Sequence, residues 1–181
     1  VAVWLQSVKK KLKDDLNIHW KCFSLEQDHS TRGADFKLWD HPEVTSRSLK
    51  AFQAAKCAQV QGNHLFDTFH MLLFEAFHRE PKDTTCDSVL EDMARKATMD
   101  VEQFLEDLRS EKSRQLVGQD HSEAEEKYGV FGVPTLIIDK QRPFFLKLGK
   151  LPDSTGEQVE FFNELRQIIT NRPYLSEVKR I

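Results

Sequence analysis

"YGVFGVPTLIID", residues Tyr128–Asp139, sets a proline directly before a run of β-branched and apolar residues. Pro134 has no N–H to give a ladder, so it belongs at a sheet edge or at the first residue of a strand. The pattern predicts a strand that begins here. The cis form of an X–Pro bond costs only about 0.5–1 kcal/mol, so a tight turn into the strand can recruit it. A cis bond would turn the Val133 main chain outward, where its N–H and carbonyl can pair with an extended peptide or a cysteinyl ligand by strand addition.

Beyond this stretch, "PFFLKLG" (Pro143–Gly149) reads as a second strand, and the short "DKQR" turn predicts an antiparallel hairpin. Ser154 with Glu157 forms a capping-box pattern. It opens a helix whose stripe is Val159, Phe162, Leu165, Ile168 and Ile169, broken at Asn171–Arg172–Pro173.

Before it lies a helical block of about residues 48–127. One helix runs from Ser48 through Leu49, Phe52, Ala55 and Ala58 to Gly62. Asn63 is expected to cap the next, with Leu65, Phe66, Phe69, Leu72, Leu73, Ala76 and Phe77 on its stripe and Pro81 closing it. Further helices are predicted over Ser88–Ala97, after Asp100 with Gln103, and over Ser113–Tyr128, where Gly129 suits a left-handed C-cap. Residues 28–47 are polar and read as a long ordered loop tacked down by Phe36, Leu38 and Trp39.

The chain opens on a helical stripe of Val1, Trp4, Leu5, Val8 and Leu12. Ile18, Trp20 and Cys22 then alternate with His19, Lys21 and Phe23, as in a strand. Helix then strand is the second half of a βαβ unit, which needs a parallel first strand before the helix. No capping residue precedes Val1, so that strand is expected upstream of it. The expected architecture is α/β: a mixed four-stranded sheet with helices on both faces, as one domain over 1–181 with the helical block inserted.

Composition removes several function classes. The net charge is −3 with 30 % charged residues, and no clustered basic face argues for nucleic acid. Lys9–Lys13 is followed at once by Asp14 and Asp15 and reads as a solvated helix end. No apolar run has the length of a membrane span, and no cleavable signal opens the chain. Three cysteines, Cys22, Cys57 and Cys86, are too few for a disulfide framework, so a reducing, cytoplasmic setting is the default.

Cys22 and Cys57 sit at apolar positions and read as buried, inert thiols. Cys86, at a helix start, is the one candidate for reactivity. His64, His70 and His78 are spaced by six and eight residues, which misses the geometry of a helical zinc pair, so they read as surface or capping histidines and no metal is expected. There is no Ser–His–Asp pattern, no Gly-rich phosphate loop and no paired-carboxylate signal. Most of the 13 phenylalanines fall on stripes and are assigned to the core.

The order of helical block, "YGVFGVPT", hairpin and final helix, together with "WKCFSLEQ" (Trp20–Gln27), resembles the DsbA-like branch of the thioredoxin superfamily. It is most similar to the subfamily of FrnE-like oxidoreductases and 2-hydroxychromene-2-carboxylate isomerases, over nearly the whole chain. The resemblance implies a cis-proline loop facing a Cys-x-x-Cys at the start of the first helix. Val133 and Pro134 would be the cis-proline pair, flanked by Gly132 and Thr135 as substrate-binding residues. No two cysteines here have the motif's spacing, so no catalytic residue carries over, and the motif is expected upstream of Val1. A helix start lowers a thiol pKa and favours the thiolate.

The implied activity is thiol–disulfide oxidoreduction on a protein or a small thiol or disulfide. One alternative is a glutathione-dependent isomerase or kappa-class transferase with a serine nucleophile. Such relatives carry an aromatic–Gly–x–Asp–Arg element that "FFLKLGKLPDS" lacks. A non-catalytic thioredoxin-like binding module is the other. No cofactor is implied beyond glutathione in the first alternative. Neither nucleic acid nor membrane is expected as a partner, and the helical block and the 28–47 loop are candidates either to shape a substrate groove or to bury a homodimer contact.

Overall fold

The computed structural model describes residues 1–79 and 82–175. In chain order the elements are α1 (Ala2–Leu12), α2 (Leu25–Asp28), α3 (Leu49–Gln61), α4 (Asn63–His78), α5 (Asp87–Lys96), α6 (Val101–Arg109) and α7 (Glu111–Ser122). Then come β1 (Thr135–Leu136), β2 (Phe144–Phe145) and α8 (Thr155–Asn171). α7 runs on into a π-helical turn, Glu123–Lys127. The chain divides into two compact units, one of Val1–Trp20 with the chain from Tyr128 onward, the other Lys21–Lys127.

In the first unit α1 lies against α8 because each presents one apolar stripe. Trp4, Leu5, Val8 and Phe162 are buried together, and Leu136, Ile138, Leu146 and Leu148 of the hairpin region pack on them. The Trp4 ring lies 5.2 Å from Phe161 and 6.1 Å from Phe162. Its indole N–H donates to the Gln158 carbonyl at 3.0 Å, so a large buried aromatic keeps its polar atom satisfied. α8 starts at the full Ser154–Glu157 capping box, in which each residue serves the other's main chain.

β1 and β2 pair antiparallel, Thr135 with Phe145 and Leu136 with Phe144. The turn is tight: Asp139 and Lys140 both have positive φ, 50° and 60°, and the Gln141 N–H donates to the Ile138 carbonyl at 2.9 Å. Two left-handed residues in a row match the strand twist of a type I′ hairpin. Ile138 meets Gln141 at the turn while Leu136 meets Phe144 in the ladder, so the second strand carries one extra residue at Arg142–Pro143. Such a bulge is a place where proline is tolerated.

In the second unit α3 packs against α4, α6 and α7. Phe69 and Phe104 are fully buried, 5.4 Å apart by ring centroid, and Ala54, Ala58, Phe66, Leu90 and Leu108 of the same unit are buried too. Gly118 lets α7 approach the Trp39 ring; a Cβ there would lie 2.5 Å from the indole. Residues 28–47 form an ordered loop. Leu38 and Trp39 are buried, and Phe36 packs on their cluster.

Several expectations change. Among the described residues the sheet is the two-stranded hairpin, and the chain is mostly helical. The predicted strand at Ile18–Phe23 joins no ladder there. At the end of this segment the main chain turns to α7: the N–H of Cys22 is taken by Asp120 and that of Ser24, just beyond, by His121. Asn63 does not cap α4. Gly62, with φ 130° and ψ 152°, both ends α3 and starts α4, so Asn63 is already helical. Phe77, Phe131 and Phe145 are exposed rather than core. Pro81 lies outside the described residues. No described helix is long and apolar enough to cross a membrane.

Candidate functional site

The loop into β1 starts at Gly129, whose φ of 62° ends the preceding helical turn in the left-handed region. Val130 and Phe131 lead to Gly132, which is buried, and then to Val133, which is 42 % exposed. The Val133–Pro134 peptide bond is cis. Thr135 fixes the loop from inside, its Oγ1 donating to the Gly132 carbonyl at 2.7 Å. The Pro134 carbonyl accepts from the Leu146 N–H at 3.0 Å. A paired residue would normally return a bond, but proline has no donor, so this rung is one-sided.

Val133 itself makes no hydrogen bond through its N–H or carbonyl to any described residue. Both are strong hydrogen-bonding groups on an exposed loop. Beside them stand Phe131, 73 % exposed, and Phe145, 44 % exposed, with ring centroids 5.8 Å apart. Ile137 adds a further exposed apolar side chain. Gly132, Val133, Pro134 and Thr135 are thus brought together as one loop, bordered by two aromatic rings, Phe131 from the same stretch and Phe145 from β2. Phe145 faces out because successive strand side chains alternate, opposite in facing to Phe144.

The cysteines are far from equivalent. Burial pushes the thiols of Cys22 and Cys57 up to about 12, which leaves them protonated at neutral pH. Cys86 is exposed at the start of α5, its Sγ 3.2 Å from the Ser88 hydroxyl. Hydrogen bonds from that hydroxyl and from the N–H groups of Ser88 and Val89 hold its pKa below the usual thiol value. It forms no disulfide, and the other two thiols are buried.

A second cluster went unseen in the sequence. Asp120, 4 % exposed, accepts from the Cys22 N–H at 3.0 Å, from Lys21 Nζ at 3.0 Å and from Lys56 Nζ at 2.8 Å. Lys21 also reaches Glu123 at 3.0 Å. Partial burial works against the Lys21 charge, but the bonds from Glu123 and Asp120 outweigh it and raise its pKa. His121, 1 % exposed, accepts the Ser24 N–H on Nδ1 at 3.1 Å and stacks on Phe23 at 4.5 Å. An Asp–His pair on a polar helix carries no periodic signal, which is why sequence pattern alone passes over it.

The three α4 histidines are not all at the surface. His70 lies between Phe66 and Phe74, 4.8 Å and 4.7 Å away, and burial lowers its pKa to about 4. Among the described residues no three His, Cys, Asp or Glu side chains converge as a metal site. No curated protein matches the chain. Residues 4–151 match the family model described as the DSBA-like thioredoxin domain, and the chain belongs to that family.

Proposed function

We propose that the protein is a thiol–disulfide oxidoreductase of DsbA-like type, with Gly132–Thr135 as the loop that holds the substrate main chain. The observation that supports it best is the N–H and carbonyl of exposed Val133, unengaged by any described residue and bordered by Phe131 and Phe145. An extended peptide around a cysteine offers a matching carbonyl and N–H, and its apolar side chains would cover the two rings.

In this proposal residues 1–181 are one domain with 48–127 inserted. The hairpin is part of a four-stranded mixed sheet, and Ile18–Phe23 adjoins a strand upstream of Val1. The reacting Cys-x-x-Cys is assigned upstream as well, because neither buried thiol is available and Cys86 has no cysteine three positions away on either side. One thiolate attacks a substrate sulfur and the other substrate sulfur leaves as a thiolate. The second cysteine then displaces the bound half, so the protein pair ends oxidised and the substrate ends reduced. Glutathione, an extended tripeptide thiol, fits the same main-chain groups as a small partner.

The test is insulin reduction by the full-length protein, with Phe131→Ala as the site variant. Loss of one partly covered aromatic contact is expected to raise KM by about 3- to 10-fold with kcat little changed. An intact thiol pair with no thiol exchange would overturn the proposal.

A further inference from the structure

Asp120 and His121, adjacent at the end of α7, each hold one N–H of the Cys22–Ser24 segment, but their chemistry differs. The Asp120 carboxylate is shared among Cys22, Lys21 and Lys56. The imidazole of His121 can accept the Ser24 N–H only while Nδ1 carries no proton. Its ring is held between Phe23 at 4.5 Å and Trp39 at 5.3 Å and is 1 % exposed, so water does not stand in for Ser24.

What Ser24 holds in turn is the whole 28–47 segment. Its Oγ caps α2 by accepting the Gln27 N–H at 3.2 Å. The Gln27 amide then bridges the loop main chain, donating to the Phe36 carbonyl at 2.8 Å and accepting from the Leu38 N–H at 2.7 Å. The neighbouring Glu26 carboxylate accepts from the Arg47 N–H at 3.0 Å and from the Ser46 hydroxyl. Bonds therefore run from one imidazole nitrogen through Ser24 and Gln27 to the middle of the loop, and Glu26, beside Gln27 on α2, holds its far end.

We propose that His121 is an acid-sensitive latch for residues 22–47: neutral, it holds Ser24 and through α2 the loop; protonated on Nδ1, it lets both go. The charged groups that face it come from three elements. Glu125 lies one helical turn on, with Oε2 3.8 Å from Nε2, and Asp28 at the end of α2 and Lys37 before Leu38 act from further away. The two carboxylates favour the cation, Lys37 and burial oppose it, and burial is the largest effect, so the His121 pKa lies below the usual imidazole range. The unfolded chain thus takes up the proton first. The latch is at full strength above about pH 6.5 and weakens as the pH falls below it.

The test is amide hydrogen exchange by NMR on the full chain at Ser24, Gln27 and Leu38 between about pH 7.5 and about pH 5, corrected for the intrinsic pH dependence of exchange. The comparison is His121→Asn, whose side-chain carbonyl sits where Nδ1 was and accepts at any pH. Protection in the natural protein is expected to fall by at least about tenfold across that range, and to stay level in the variant. Equal behaviour of the two, or level protection in the natural protein, overturns the latch. If the variant does not fold, the ring protons of His121 are titrated directly in the natural protein. A Ser24 amide that follows the same midpoint supports the latch, and one that ignores it refutes it.

Discussion

The unit of Val1–Trp20 with the chain from Tyr128 onward builds its core from apolar side chains around Trp4, and among its described residues only Gln6 is a buried polar one. The Lys21–Lys127 unit buries Ser24, Gln53, Thr84, Ser113, Asp120 and His121. Their surfaces reverse this. Phe131, Val133, Ile137 and Phe145 are exposed together in the first unit, while Val60 and Phe77 are the large apolar exposures on the helices α3 and α4 of the second. The difference teaches where each unit's specificity lies. Apolar packing is tolerant of volume-conserving change, whereas a buried polar group must meet one partner in one geometry. The second unit is therefore specified by hydrogen bonds at long sequence separation, and the first is free to present apolar surface at its loop.

Removing Asp120 is the strongest way to break that contrast. Asp120→Ala leaves Lys56, 12 % exposed, and the Cys22 N–H without their acceptor. Stripping one partner from a buried pair costs about 3–5 kcal/mol, so chemical unfolding of the variant should show a loss of that size. A loss under about 1 kcal/mol would mean the buried polar groups hold little together.

Gly118→Ala sharpens the same comparison with a smaller effect. The helix itself would gain about 1 kcal/mol from the exchange. The new Cβ, however, meets buried Trp39 at 2.5 Å, where the ring must shift. Overpacking costs about 1–3 kcal/mol beyond that gain, and net destabilisation in a thermal melt is the expected sign. Smallest is Ser154→Ala in the first unit, which removes an exposed capping box and should cost about 1 kcal/mol by the same measurement.

Sequence pattern reached the features that are local. The α4 stripe put Phe66, Phe69, Leu73 and Ala76 inside, and Ser154 with Glu157 marked the start of α8, because both depend on residues within a turn or two of one another. The hairpin at Ile138–Gln141 was legible for the same reason. What it did not reach was partner choice across the chain. Ile18–Phe23 alternates as a strand does, yet the N–H groups of Cys22 at its end and of Ser24 just beyond bond to residues 98 and 97 positions away. Nothing in either segment alone announces that pairing. The proline loop was legible as punctuation before a strand, but its bordering rings were not. Phe131 and Phe145 look like core residues in a list of phenylalanines and become a surface only once the hairpin register is known.

Whether Val133 takes hold of a substrate main chain is measured most directly by hydrogen exchange at its amide in the full-length protein. The free protein is compared with the protein trapped as a mixed disulfide with a cysteine-containing peptide. Strand addition predicts that protection at Val133 rises by at least about tenfold in the trapped complex. An amide that exchanges equally fast in both would contradict the account.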